Sequence, residues 1–219
     1  GSGAEVGQNF DYEPEAMKRL LDDMMEEAGV EILYYTFVAD AIIEGDVVSG
    51  IIVQNKTGRS AILAKQVVDC TGDADVAAHA GAAFDYGRKG DGLCQPTTLM
   101  FRIGGVENEK VRVYCRTETD PKLEAFCQRA IEAGVMTPFQ TRVMGLWYFH
   151  GRPDQLGINF TNITGINSTK AEDLTKATTE GRRQAKMLVD AFRKFLPGCE
   201  NCYMIDTASY LGIRESRRI

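Results

Sequence analysis

The residues best suited to chemistry lie in one corner, residues 67–77, which read VVDCTGDADVA. A β-branched pair runs into Thr71-Gly72, and Asp73 can serve as the N-cap of an alanine-rich helical turn that ends at Gly81. A helix N-terminus has unpartnered N–H groups and a positive dipole end, which suit a phosphate or a ribose hydroxyl. Gly72 would let a ligand approach closely. The pattern alone does not separate a nucleotide-binding corner from a strand-to-helix turn that binds nothing.

A second cluster of functional side chains closes the sequence, at residues 212–219, which read GIRESRRI. Arginine can hold anions in bidentate geometry, so Arg214 and Arg217 are candidates for binding an anionic group. On composition alone, a solvated charged tail is the default explanation. The sequence stops directly after the charge cluster on an apolar residue, so we expect a fragment of a longer chain.

The cysteines and histidines give weaker evidence for a functional site. The only C-x-x-C pair is Cys199 and Cys202, and no second pair or nearby histidine pair completes a zinc site, so we expect no metal. We expect most of the cysteines to be reduced thiols, and the C-x-x-C pair to be an incidental surface turn. A redox role for these two thiols is the competing interpretation. His150 could act as an acid or base, although a lone histidine at a strand end is more often simply hydrogen-bonded.

Composition narrows the class of protein. The chain has 219 residues, 44% of them hydrophobic, with a net charge of −6 and a pI near 5.1. Scattered lysines and arginines in an acidic chain disfavour nucleic-acid binding. No apolar run approaches the roughly 20 residues that cross a bilayer, and the first residues do not resemble a signal peptide. We therefore expect a cytoplasmic protein with a small-molecule substrate and no membrane or nucleic-acid partner.

The first part of the chain must position the corner. An amphipathic helix is predicted from Pro14 to Ala28, with Gly29 as its stop. Strands are predicted at residues 31–35, 38–44, 47–54 and 60–64, the last three as a meander, followed by a strand over residues 67–70 that delivers the corner.

A second region begins after a glycine-rich loop within residues 82–106, where we place a domain crossover. One helix is predicted from Asp120-Pro121 to Gly134. A second and longer helix is predicted to begin at a capping box formed by Thr169 and Glu172 and to end at about Leu196. Gly181 in the long helix predicts close packing against a neighbour. The predicted strands are residues 97–103, 143–150, 157–163 and 203–207. The aromatic residues 147–149 are expected mainly in the sheet core.

Together, the corner at residues 67–77 and the closing GIRESRRI resemble FAD-dependent oxidoreductases, flavoproteins with a glutathione-reductase or hydroxybenzoate-hydroxylase type of FAD domain. The resemblance implies an α/β (α+β) fold: a partial FAD-binding domain at residues 4–83, a substrate domain at 84–202 and a return segment at 203–219. It also implies FAD contacts at Thr71, Gly72 and Asp73, and more loosely at Val38. Arg214 and Arg217 fall where such flavoproteins return toward the flavin, so they are the implied catalytic residues.

One departure from the family pattern matters. No strand followed by G-x-G-x-x-G occurs near the start, so the loop that would hold the FAD pyrophosphate is missing. We therefore expect the full-length protein to bind FAD and this fragment to bind it poorly and to be inactive alone. The implied function is the substrate-binding part of an oxidoreductase that moves a hydride or electron pair. The alternative is a non-catalytic ligand- or partner-binding module on a flavoprotein-like scaffold.

Overall fold

The computed structural model describes residues 12–116, 120–149 and 151–219. The fold is α+β, with helices and antiparallel sheets, as predicted. In chain order the elements are α1 (Pro14–Glu27), β1 (Phe37–Glu44), β2 (Val47–Asn55), β3 (Gly58–Leu63), α2 (Asp75–His79), β4 (Asp85–Tyr86), β5 (Phe101–Gly104), α3 (Asn108–Arg116), α4 (Glu124–Glu132), β6 (Gly145–Tyr148), β7 (Leu156–Asn159), α5 (Ala171–Phe195), β8 (Tyr203–Thr207) and β9 (Arg217–Arg218).

The chain forms two compact units, one from the residues up to Arg19 together with Gln95–Arg214, the other from Leu20–Cys94 together with Glu215–Ile219. The domain boundaries inferred from the sequence stay predictions. No helix in the described ranges is both long and apolar enough to cross a membrane.

The larger unit is built on a four-stranded antiparallel sheet in the order β6-β7-β5-β8. One face of this sheet packs on α4 and α5 around Phe126, Phe160 and Phe192, whose ring centroids lie 5.2 to 6.2 Å apart. A cluster of buried apolar side chains from the strands and both helices completes this core, so the sheet has one buried face.

The long helix α5 confirms the predicted span and the predicted close packing at Gly181. A Cβ atom at Gly181 would lie 2.7 Å from the Cβ atom of Leu99, so only glycine fits there. The predicted capping box is wrong, because Thr169 and Glu172 do not cap the helix. Instead, the N-cap residue Lys170 provides no side-chain bond, and Asn167 N–H donates to Asp173 Oδ2 over 2.8 Å.

The smaller unit contains the predicted meander as a three-stranded sheet, β1-β2-β3, and α2 packs on β1. The strands predicted at residues 31–35 and 67–70 are wrong: the chain there is irregular. Strand formation requires a ladder partner, and neither segment has one in the part of the chain that the structure describes. Val68 and Tyr35 are accordingly 83% and 92% exposed.

Candidate functional site

The open face of the four-stranded sheet carries one cross-strand row of functional residues. Trp147 of β6 lies opposite Gly157 of β7, which lies opposite Arg102 of β5, which lies opposite Asp206 of β8. Side chains alternate between the two faces of a strand, so Leu146 and the other neighbours of this row pack on the core while the row faces outward. Each of the four strands therefore contributes one residue to this cross-strand row.

The aromatic part of the row rests on a glycine. A Cβ atom at Gly157 would lie 3.0 Å from Cζ of Phe149 and 3.5 Å from Cε3 of Trp147, so both rings occupy the space above its backbone. Both aromatic side chains are half-buried and line a groove. The expected core position of the aromatic run is therefore only partly right: Tyr148 packs against the core, whereas Trp147 and Phe149 form a platform.

The polar part of the row is an ion pair across two strands. Arg102 Nε donates to Asp206 Oδ1 over 2.9 Å, and Nη2 donates to the second carboxylate oxygen. The Arg102 side chain is 23% exposed and that of Asp206 is 43% exposed, so the pair borders the groove and still meets solvent. Such a bidentate pair fixes both side chains in position and leaves further donor and acceptor capacity.

The first turns of α1 form the opposite rim. Arg152 Nη2 donates to Glu13 Oε1 over 2.6 Å, and Glu13 Oε2 accepts from Ala16 N–H over 2.8 Å. Glu13 thus caps α1 and ties it to the turn before β7. One turn further on, Lys18 donates to Glu15 over 2.9 Å, and this bond lowers the pKa of Glu15.

These elements enclose a groove of about 560 Å³. This volume suits a small organic molecule. Its lining combines aromatic, charged and hydroxyl side chains, namely Tyr12, Pro14, Glu15, Lys18, Met100, Phe101, Arg102, Trp147, Phe149, Gly157, Asp206, Thr207, Ala208 and Ser209.

The corner at residues 67–77 is held by Asp69. Asp69 Oδ1 accepts from the backbone N–H and the hydroxyl of Thr71, over 3.0 and 2.7 Å, and Oδ2 accepts from Ala77 N–H over 3.0 Å. Burial alone would raise the pKa of Asp69, but these donors outweigh burial and lower it. The prediction that Asp73 is the N-cap of α2 is wrong. Ala74 occupies the N-cap position at φ 54°, and Thr71 Oγ1 accepts a hydrogen bond from Asp75 N–H.

This arrangement bears on the predicted cofactor contacts. The α2 amides of Asp75 and Ala77 are already bonded to protein groups, so they offer no phosphate cradle. Gly72 has φ +84°, a conformation that favours glycine, and a Cβ atom there would meet nothing within 4 Å. Val38 lies in β1 opposite Val53. These two amides are not available to a phosphate, and the FAD contacts implied at Val38, Thr71, Gly72 and Asp73 stay predictions.

The closing motif is joined to the corner through Arg217. Its Nη1 donates to Asp73 O over 2.8 Å and to Asp75 Oδ1 over 2.7 Å, and β9 pairs with β4. Arg218 donates to Gly87 O over 2.6 Å and bonds Glu215. The guanidinium of Arg217 is thus engaged in holding the structure together.

Arg214 differs from Arg217. It is exposed and makes no hydrogen bond or ion pair to any residue that the structure describes, so it is open to an anionic group. The catalytic roles of Arg214 and Arg217 stay predictions. His150 lies outside the described residues.

The cysteine interpretation needs correction. Cys199 and Cys202 are fully buried in the core of the larger unit, not in a surface turn. The hydrogen bond with Cys202 and burial both raise the pKa of Cys199. Among the described residues, no group of three or more metal-ligating side chains could hold a metal ion.

Sequence reasoning missed the groove, although a signal was present. Phe101-Arg102-Ile103 and Ile205-Asp206-Thr207 each place one ionisable residue among strand-forming neighbours, with opposite charges. A charge at one position of a half-buried strand favours the open face of a sheet, and opposite charges favour cross-strand pairing.

Comparison with protein families gives a match over residues 2–219 to the model described as FAD dependent oxidoreductase, and the chain therefore belongs to this family. Comparison with curated proteins and with solved structures found no match.

Proposed function

We propose that this member of the FAD-dependent oxidoreductases supplies the substrate-binding part of an enzyme that moves a hydride or electron pair between flavin and a small organic substrate. The observation that supports this proposal is the groove on the open sheet face, where Trp147, Arg102 and Asp206 lie in one cross-strand row. Sites for small molecules are concave, largely apolar and furnished with a few fixed polar groups, and this groove has each of these features.

The chain's own residues would bind and orient the substrate. The Trp147 and Phe149 rings offer a flat apolar surface, while the Arg102–Asp206 pair offers directed hydrogen bonds. The flavin, when bound, supplies the redox chemistry.

The test uses the full-length protein with FAD. Substrate candidates are mixed with it anaerobically, and bleaching of the flavin absorbance is followed. Arg102→Met should raise the substrate concentration that gives half-maximal bleaching about tenfold or more, since a charged hydrogen bond contributes about 1.5–3 kcal/mol. Arg183→Met, on an exposed face of α5, is the matched control and should leave bleaching unchanged. Equal kinetics in Arg102→Met and the native protein would remove the groove from the reaction.

A non-catalytic ligand- or partner-binding module is the second candidate. Its support is the corner, where Thr71 and Asp69 bond the amides of Asp75 and Ala77, so these two N–H groups are not available to a phosphate. A chain purified with near-stoichiometric flavin absorbance would contradict this candidate and our expectation that this polypeptide binds FAD poorly.

A further inference from the structure

The groove is balanced in charge, and its charges are already paired. Lys18 is bonded to Glu15, and Arg102 is bonded to Asp206. Because the two positive and two negative side chains cancel, a substrate with a net charge gains no net electrostatic attraction from the lining. A neutral substrate can use both members of each pair without separating them, so the lining favours a neutral molecule.

The Arg102–Asp206 pair offers a donor and an acceptor side by side. Arg102 uses Nε and Nη2 for Asp206, and its Nη1 has no hydrogen-bond partner within the described ranges. The carboxylate of Asp206 is 43% exposed and can accept further bonds. Two adjacent hydroxyl groups match this arrangement, because one can donate to the carboxylate while its neighbour accepts from the guanidinium.

The aromatic end of the row favours a ligand that has a flat apolar face. The Trp147 and Phe149 rings lie over the bare backbone of Gly157 and line the groove. The ring face carries partial negative charge, so it attracts the slightly positive C–H groups on the face of a saturated ring. Ser209 also lines the groove and offers one more hydroxyl group.

We propose that the groove binds a neutral cyclic polyol, a pyranose or a cyclitol, with its C–H face on Trp147 and a vicinal diol on the Arg102–Asp206 pair. This inference rests on the proposed function for its identity as substrate, and it names the substrate's chemical class. It concerns binding and can be tested without flavin.

The chain provides its own reporter. Trp147 is the single tryptophan in the sequence, so its emission reports directly on the groove. We would titrate the chain with methyl glucopyranoside and with myo-inositol and follow Trp147 fluorescence. Both probes should give a saturable change. Cyclohexanol, which lacks the vicinal diol, should bind about tenfold more weakly or worse, because the polar pair is left without its partners.

Charged probes and variants sharpen the test. Glucuronate and glucosamine should each bind more weakly than the neutral probes. Arg102→Met and Asp206→Asn should each weaken binding of methyl glucopyranoside about tenfold, and Arg183→Met should not. Circular dichroism checks folding. If the Asp206 variant is unfolded, Ser209→Ala at the groove rim replaces it and should weaken binding by a smaller factor.

The outcomes separate the two proposals. Equal binding of cyclohexanol and methyl glucopyranoside, or no saturable change with either polyol, would overturn the substrate class. Polyol binding without any flavin bleaching in the full-length protein would overturn the proposed function and leave the binding inference standing. Bleaching by a charged substrate, without any polyol binding, would overturn the substrate class and leave the proposed function standing.

Discussion

Arg217 Nη1 lies 2.7 Å from Asp75 Oδ1, and this contact joins two segments that are 142 residues apart in the sequence. The same nitrogen also donates to Asp73 O. The turn that begins at Thr71 and the strand β9, which contains Arg217, therefore form one structural piece of the smaller unit.

Removing this contact should loosen the corner. In Arg217→Met, the α2 amides should exchange with solvent faster, by a factor that corresponds to about 1 kcal/mol, because Asp75 is 39% exposed and solvent screens the ion pair. Hydrogen exchange of residues 73–79 measures the effect. Arg214→Met is the matched control and should leave exchange unchanged. Equal exchange in Arg217→Met and the native chain would show that the contact adds no local stability.

The acid stability of the corner should depend on Asp69. Its pKa is lowered in the folded chain, so the carboxylate stabilises the fold at pH values above the ordinary aspartate pKa, about 3.9. This contribution is lost as the pH falls through the lower, folded pKa. Protection of the Ala77 amide, followed by hydrogen exchange from pH 6 to pH 2, should therefore drop at the acid end.

Asp69→Asn should reduce that protection at pH 7 by about 0.5–2 kcal/mol, the cost of a lost cap, and should flatten its acid dependence. Asp73→Asn is the matched control, since the Asp73 side chain makes no hydrogen bond within the described part of the chain. A larger effect from Asp73→Asn would reinstate the N-cap that the sequence predicts.

Local signals predicted helices where α1, α2, α4 and α5 form, but they gave no helix at α3, and the sheet and its groove required information from distant segments. Gly134 and Asp120 mark the ends of α4, because start and stop signals act within a few residues. The row from Trp147 to Asp206 depends on the register of four strands, and no single segment encodes that register.

The two incorrect strands have the same cause. Residues 31–35 and 67–70 are rich in strand-forming side chains, but a strand needs a partner as well as propensity. The resemblance to flavoproteins was correct for the family, since it rests on two motifs in order. It could not reveal that Asp69 and Thr71 occupy the α2 amides, because those bonds depend on side-chain orientation.

Packing at Gly181 gives a prediction about the larger unit. Gly181→Ala should gain about 1 kcal/mol of helix propensity but lose about 1–3 kcal/mol through collision with Leu99, so the net effect should be destabilising. Urea unfolding followed by Trp147 emission measures it. In a Leu99→Gly background both colliding atoms of Leu99, Cβ and Cδ2, are absent, and the same change should become neutral or stabilising. A destabilisation that persists in this background would contradict the packing argument.

Thiol reactivity should separate the buried from the exposed cysteines. Cys70 is exposed and should react quickly with a disulfide reagent at pH 8. Burial raises the pKa of Cys127 to about 12, and Cys199 and Cys202 are fully buried, so these three should react only on unfolding. Comparison of native and urea-unfolded chains counts the thiols that the fold protects; Cys94 and Cys115, which are of intermediate exposure, should react at intermediate rates. Rapid native reaction of Cys199 or Cys202 would favour the redox interpretation.

The floor of the groove depends on the missing side chain at Gly157. In Gly157→Ala the new Cβ atom would lie 3.0 Å from Phe149 Cζ, so the ring must shift by a few tenths of an ångström. Trp147 emission should change, and methyl glucopyranoside binding should weaken several-fold, on the order of the 1 kcal/mol that a displaced aromatic contact contributes. Gly104→Ala is the matched control on the neighbouring strand β5, where the three atoms nearest to the new Cβ atom all belong to Tyr203, which is 51% exposed. Similar changes in Trp147 emission for both variants would show that Gly157 has no special role beneath the rings.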